Sequence, residues 1–92
     1  MPERLSNDAV DAALVKLSWR REGDELVKEV TRSDFVEAVR FVDALVRVAE
    51  EANHHPDVAI SWNKVTLRLS THSAGGLTQR DLDLAARIDQ VK

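Results

Sequence analysis

The chain has 92 residues, 43 % of them apolar, with a formal net charge of −3 and no cysteine. That length suits one domain, 1–92, around one core, and the apolar share argues against intrinsic disorder. Disulfides and thiolate metal sites are excluded, and so are the basic footprint of a nucleic-acid binder and a polybasic membrane patch. No apolar run approaches the ~20 residues of a membrane span, and "MPERLSNDAVDAAL" lacks the apolar stretch of a signal peptide. The expectation is a soluble cytoplasmic protein.

Ser6 can cap a first helix from about Asn7 to Lys16, with Val10, Ala13 and Leu14 at helical spacing. In "KLSWRREGDELVKEVT", Leu17 and Trp19 alternate with polar residues, "EGD" reads as a turn, and Leu26, Val27 and Val30 follow. This predicts a β-hairpin whose second arm alternates imperfectly. The strongest element is "SDFVEAVRFVDALVRVAEEANHH", capped by Ser33 or Thr31. Phe35, Ala38, Val42, Leu45, Ala49 and Ala52 mark one apolar face, and Val39, Phe41 and Val46 widen it. Pro56 disfavours helix at His55, so the helix should end near the histidines.

"DVAISWNKVTLRLSTH" alternates cleanly, with Val58, Ile60 and Trp62 on one face and Val65, Leu67 and Leu69 on one face of the next run. A turn at Asn63 makes a second hairpin. "SAGGL" is loop. Thr78, with Asp81 three residues on, caps a last helix whose Leu82, Ala85, Ala86 and Ile88 face inward. The order α-ββ-α-ββ-α predicts an α+β fold: a four-stranded antiparallel sheet with helices packed on one face.

Three histidines carry the candidate chemistry. His54 and His55 adjoin a helix end, and His72 follows the last strand. Histidine titrates near neutral pH and serves as acid, base or metal ligand. The plain alternative is three solvated residues, since a cationic His near a helix C-terminus is itself favourable. Zinc is a third option, though adjacent histidines seldom reach one ion. Helical neighbours point about 100° apart, so His54 and His55 are not a side-by-side clamp. Trp19 and Trp62 read as core aromatics. Gly75-Gly76 is too short for a phosphate loop and reads as a turn.

"AEEANHHPDV", followed by "SWNKVTLRLSTHSAGGLTQRDLDLAARID", closely resembles the pterin-4a-carbinolamine dehydratase family. The shared pattern is an acidic residue before Asn-His-His-Pro, an aromatic-Asn turn, Thr-His, a Gly-Leu-Thr stretch and an Asp in the last helix. The resemblance reaches back through "DFVEAVRFV" and Trp19 to about Lys16. Trp62 stands where tyrosine is common in that family, and Ser73 and Ala74 occupy a variable part of the loop.

The resemblance implies loss of water from a 4a-hydroxytetrahydropterin to give quinonoid dihydropterin, without metal or organic cofactor. It implies that the pterin cofactor of aromatic amino acid hydroxylation is recycled, with a pterin-dependent hydroxylase in the same pathway. By the same resemblance His54, His55 and His72 are catalytic, flanking the pterin from different directions. Asn53, Ser70, Thr71 and Ser73 line the substrate with them, and Glu50, Arg80 and Asp81 orient the histidines. The family also includes a member that helps a transcription factor dimerise and non-catalytic relatives that act in protein assembly, so the alternative is a binding or assembly protein. A chain freed from catalysis should have lost one of the three histidines, and all three are present. The broad apolar face of the long helix predicts a homodimer or homotetramer.

Overall fold

A computed structural model describes residues 3–91. The elements are α1 (Asn7–Leu14), β1 (Arg20–Glu22), β2 (Glu25–Thr31), α2 (Phe35–Ala52), β3 (Asp57–Ser61), β4 (Lys64–Leu69), a 3-10 turn (His72–Ala74) and α3 (Gln79–Asp89). This is the α-ββ-α-ββ-α order expected. The two hairpins lie side by side as one antiparallel sheet in the order β1-β2-β4-β3.

The β2–β4 register sets Leu26 against Leu69, Lys28 against Leu67 and Val30 against Val65. These rows share one face. Leu26, Val65, Leu67 and Leu69 on it are fully buried and form one core with Val10 of α1, Ala38, Phe41 and Leu45 of α2, and Leu82, Ala85 and Ile88 of α3. The imperfect alternation of β2 has a definite cause. Lys28 occupies an inward register position, and its ammonium donates to Asp89 Oδ1 at 2.8 Å. Asp89 also accepts from Trp19 Nε1 at 2.9 Å and from the Ser18 N–H at 2.9 Å. An inward charge is tolerable when such partners satisfy it. The cluster fastens the end of α3 to the entry of β1.

Several local expectations change. α1 stops at Leu14 rather than Lys16. The N-cap of α2 is Asp34, whose carboxylate accepts from the Glu37 N–H at 2.9 Å; Thr31 is taken into β2, where it pairs with Lys64, and Ser33 lies one residue too early. Phe35 and Val39 are exposed on α2. In α3 the inward set includes Leu84, and Ala86 is exposed. Trp19 is a core residue at 7 % exposure, but Trp62 is 67 % exposed at the hairpin tip with φ +52°. The pattern for β3 also misleads. It alternates like a half-buried strand, yet every one of its residues is exposed because β3 is a sheet edge.

Candidate functional site

α2 ends before the histidines. Asn53 adopts the left-handed conformation (φ 49°, ψ 42°), and its N–H reaches back to the Ala49 and Glu50 carbonyls. Asn tolerates that conformation better than most residues, and it turns the chain sharply out of the helix. His54 and His55 therefore stand outside α2. They diverge because of this reversal and the following Pro56, and not because of helical spacing.

The reversal sends the two imidazoles to different carboxylates. His54 Nε2 lies 2.5 Å from Asp81 Oδ1, and the His54 side chain is only 10 % exposed. His55 Nε2 lies 2.5 Å from Glu50 Oε2, with both side chains more than half exposed. A carboxylate oxygen accepts, so each imidazole donates from Nε2 and keeps Nδ1 for something else.

Asp81 is the hub. It is fully buried at the third position of α3. Its Oδ2 accepts from the Thr78 N–H at 2.9 Å, the reciprocal half of a capping box, and from the Thr71 hydroxyl at 2.8 Å. Thr71 has one hydroxyl proton and gives it to Asp81, so at 2.8 Å the Thr78 hydroxyl must donate to Thr71 Oγ1. Among the described residues no buried side-chain polar atom lacks a partner. The network draws two remote segments to the N-terminus of α3: residues 53–54 after α2 and Thr71 after β4. Arg80 completes the brace by donating from Nη2 to the Asn53 carbonyl at 2.6 Å. It holds the backbone next to His54 and not an imidazole itself.

His72 is exposed in the 3-10 turn and lines a hollow of about 270 Å³ together with Ser70, Gly75, Gly76, Asp24 and Glu25. His55 and Glu50 rim a second, largely apolar hollow of the same size, floored by residues of α2 and by Val58. Ser73 is exposed beside His72. Asp24 and Glu25 carry no signal in sequence: Asp24 reads as part of the turn, and Glu25 only as a polar residue after it. Among the described residues, no group of three His, Asp or Glu side chains is placed to hold a metal ion, and no helix is long and apolar enough to cross a membrane.

Residues 3–91 match the family model described as "Pterin 4 alpha carbinolamine dehydratase". A protein of Thermosynechococcus vestitus named "Putative pterin-4-alpha-carbinolamine dehydratase" is 48 % identical over 92 residues, covering 99 % of this chain and 97 % of its own. A protein of Nocardia farcinica with the same name is 49 % identical over 90 residues, covering 97 % and 95 %. Among solved structures, a "transcriptional coactivator/pterin dehydratase" from Brucella melitensis superposes with a TM-score of 0.90 at 27 % identity, over 97 % of this chain and 98 % of that one. A pterin dehydratase-like protein described as a RuBisCO assembly factor in the alpha-carboxysome gives a TM-score of 0.67 at 27 % identity, over 80 % and 88 %.

Proposed function

The chain belongs to the pterin-4a-carbinolamine dehydratase family of hydro-lyases, and from that premise we propose that its three histidines dehydrate a 4a-hydroxytetrahydropterin by general acid–base catalysis. The C4a–oxygen bond breaks, the oxygen leaves as water with a proton from an acid, and a ring nitrogen forms the new C=N bond as a base takes its proton. Hydroxide leaves poorly, so the acid is essential, and such proton transfers are each worth about 10²–10⁴-fold.

The observation that carries this reading is the Asp81 hub. A fully buried carboxylate with donors from Thr71 and Thr78 holds the His54 ring by Nε2. That arrangement fixes the tautomer and leaves the Nδ1 lone pair as a base. His55, which rims one hollow beside Glu50, and His72, which lines the other, are the groups that can supply the acid. Asn53, Ser70, Thr71 and Ser73 frame the pterin between them. No metal or organic cofactor enters these steps.

Stopped-flow decay of chemically prepared 4a-hydroxytetrahydropterin tests the reading. The protein should accelerate it, His55→Ala should lower the rate at least about tenfold, and His54→Ala and His72→Ala should impair it as well. Wild-type rates from a folded His55→Ala, His72→Ala double variant would refute the assignment.

The working form we propose is a homo-oligomer, dimer or tetramer. Val39 and Val46 of α2, Val58 and Ile60 of β3, and Trp62 are all exposed, and among the described residues the outer edge of β3 is unpaired. Apolar patches and free strand edges of this kind are normally covered, and two-fold closure is the commonest way. The same face is what favours the second reading, a protein-assembly or coactivator role of the sort described for the two similar structures. A folded protein that leaves the stopped-flow decay unchanged would bring that reading forward.

A further inference from the structure

Resting on the dehydratase reading, we propose that Glu25 is a specificity residue that holds the amino-pyrimidinone edge of the pterin in the hollow beside His72. The hollow brings together what a small flat heterocycle needs. Its volume of about 270 Å³ lies at the small end of ligand sites, and its polar groups converge from three segments: Glu25 at the start of β2, Ser70 after β4, and His72 in the 3-10 turn. Gly75 and Gly76 form part of its wall without side chains, and a Cβ on Gly75 would project into open space. A planar ring can thus lie against bare backbone.

The chemistry selects the carboxylate. A pterin presents two adjacent donors on its pyrimidine edge, the ring N3–H and the exocyclic 2-amino group. Two parallel N–H donors match the two oxygens of a carboxylate, as a guanidinium does. Two carboxylates line the hollow, and their surroundings separate them. Asp24 is engaged by Arg4 Nη2 at 3.0 Å, and Arg4 is itself wedged against Gly76, where a Cβ would stand 2.8 Å from Arg4 Nε. Glu25 has only a long contact, 3.4 Å from Arg68 Nη1 to one oxygen. Glu25 is therefore the carboxylate that a ligand can engage with least loss.

Glu25 acts on binding and not on proton transfer, which the test exploits. In stopped-flow assays Glu25→Gln, which cannot accept two parallel N–H bonds, should raise KM by on the order of tenfold or more with kcat within about twofold. Glu25→Asp should recover part of the loss. Equilibrium binding, read by quenching of tryptophan fluorescence, should show wild type preferring 7,8-dihydrobiopterin over its N3-methyl analogue, and Glu25→Gln should lose that preference. Unchanged KM and unchanged discrimination in a Glu25→Gln protein with a normal thermal melt would overturn the proposal while leaving the dehydratase reading intact. A wild-type protein without dehydratase activity that still discriminates the two pterins through Glu25 would do the reverse.

Discussion

Exchanging Asp81 for asparagine changes the hub while keeping its shape. The carboxylate accepts three hydrogen bonds, from His54 Nε2, the Thr71 hydroxyl and the Thr78 N–H. Asparagine offers one oxygen and one NH₂ group, so at least one of those donors meets another donor. If the amide oxygen stays with Thr71 and Thr78, the NH₂ faces His54 Nε2, which must then accept. The proton moves to Nδ1, and the lone pair proposed as the base is gone. The same exchange in the serine-protease triad, where it also imposes the wrong tautomer, costs about 10⁴ in kcat. Here three histidines share the work, so a loss of about 10²–10⁴ in kcat is expected. The site is fully buried, and one unsatisfied buried group costs about 1–3 kcal/mol. In a domain of this size that lowers Tm by about 5–20 °C. Stopped-flow kinetics at a temperature well below the melt separates the two effects. Long-range ¹H–¹⁵N spectra of the imidazoles report the tautomer directly: Nε2–H in the wild type, Nδ1–H in the Asp81→Asn protein. A folded Asp81→Asn protein with wild-type kcat, or with the His54 tautomer unchanged, would refute the reasoning.

Three further outcomes are expected. Glu22, Glu29 and Glu51 are held below the usual carboxylate range by hydrogen bonds from Arg20, Lys64 and Arg87 respectively; their folded-state pKa values lie below the unfolded ones, so their contribution is present above the unfolded value and is lost as pH falls through the folded one. Tm should therefore decline as pH drops below about 4, and less steeply in high salt, because these pairs are exposed. Dehydratase activity should survive exhaustive chelation, and loss with EDTA restored by zinc would replace the histidine mechanism with a metal one. Light scattering at micromolar concentration should show a dimer or tetramer, and Val46→Asp together with Ile60→Asp should shift it toward the monomer with little change in the melt of the chain itself; a stable 10.3 kDa wild-type species would show that the apolar face needs no second copy.

What the sequence determined by itself was the set of elements and their order. Those depend on local signals. A 3.6-residue apolar period wrote α2, strict alternation wrote β4, and the Thr78–Asp81 spacing wrote a capping box that is present in the structure. The histidine motif and its family were equally legible, because they are strings of adjacent residues. The tertiary structure decided which faces are covered and which groups meet. Val58, Ile60 and Trp62 alternate as a core face would, but β3 is an edge and, among the described residues, that face is left exposed. Lys28 breaks the alternation of β2 in sequence, and only the fold supplies its partner, Asp89, 61 residues away. His54 and His55 are adjacent in sequence, yet a single left-handed residue, Asn53, sends one to Asp81, 27 positions on, and leaves the other with Glu50, five positions back. Asp81 shows the division within one residue. Its capping role is local and could be read from spacing. Its place as the buried partner of His54 and Thr71 depends on packing α2, β4 and α3 against one another, and a periodic pattern holds no information about that contact.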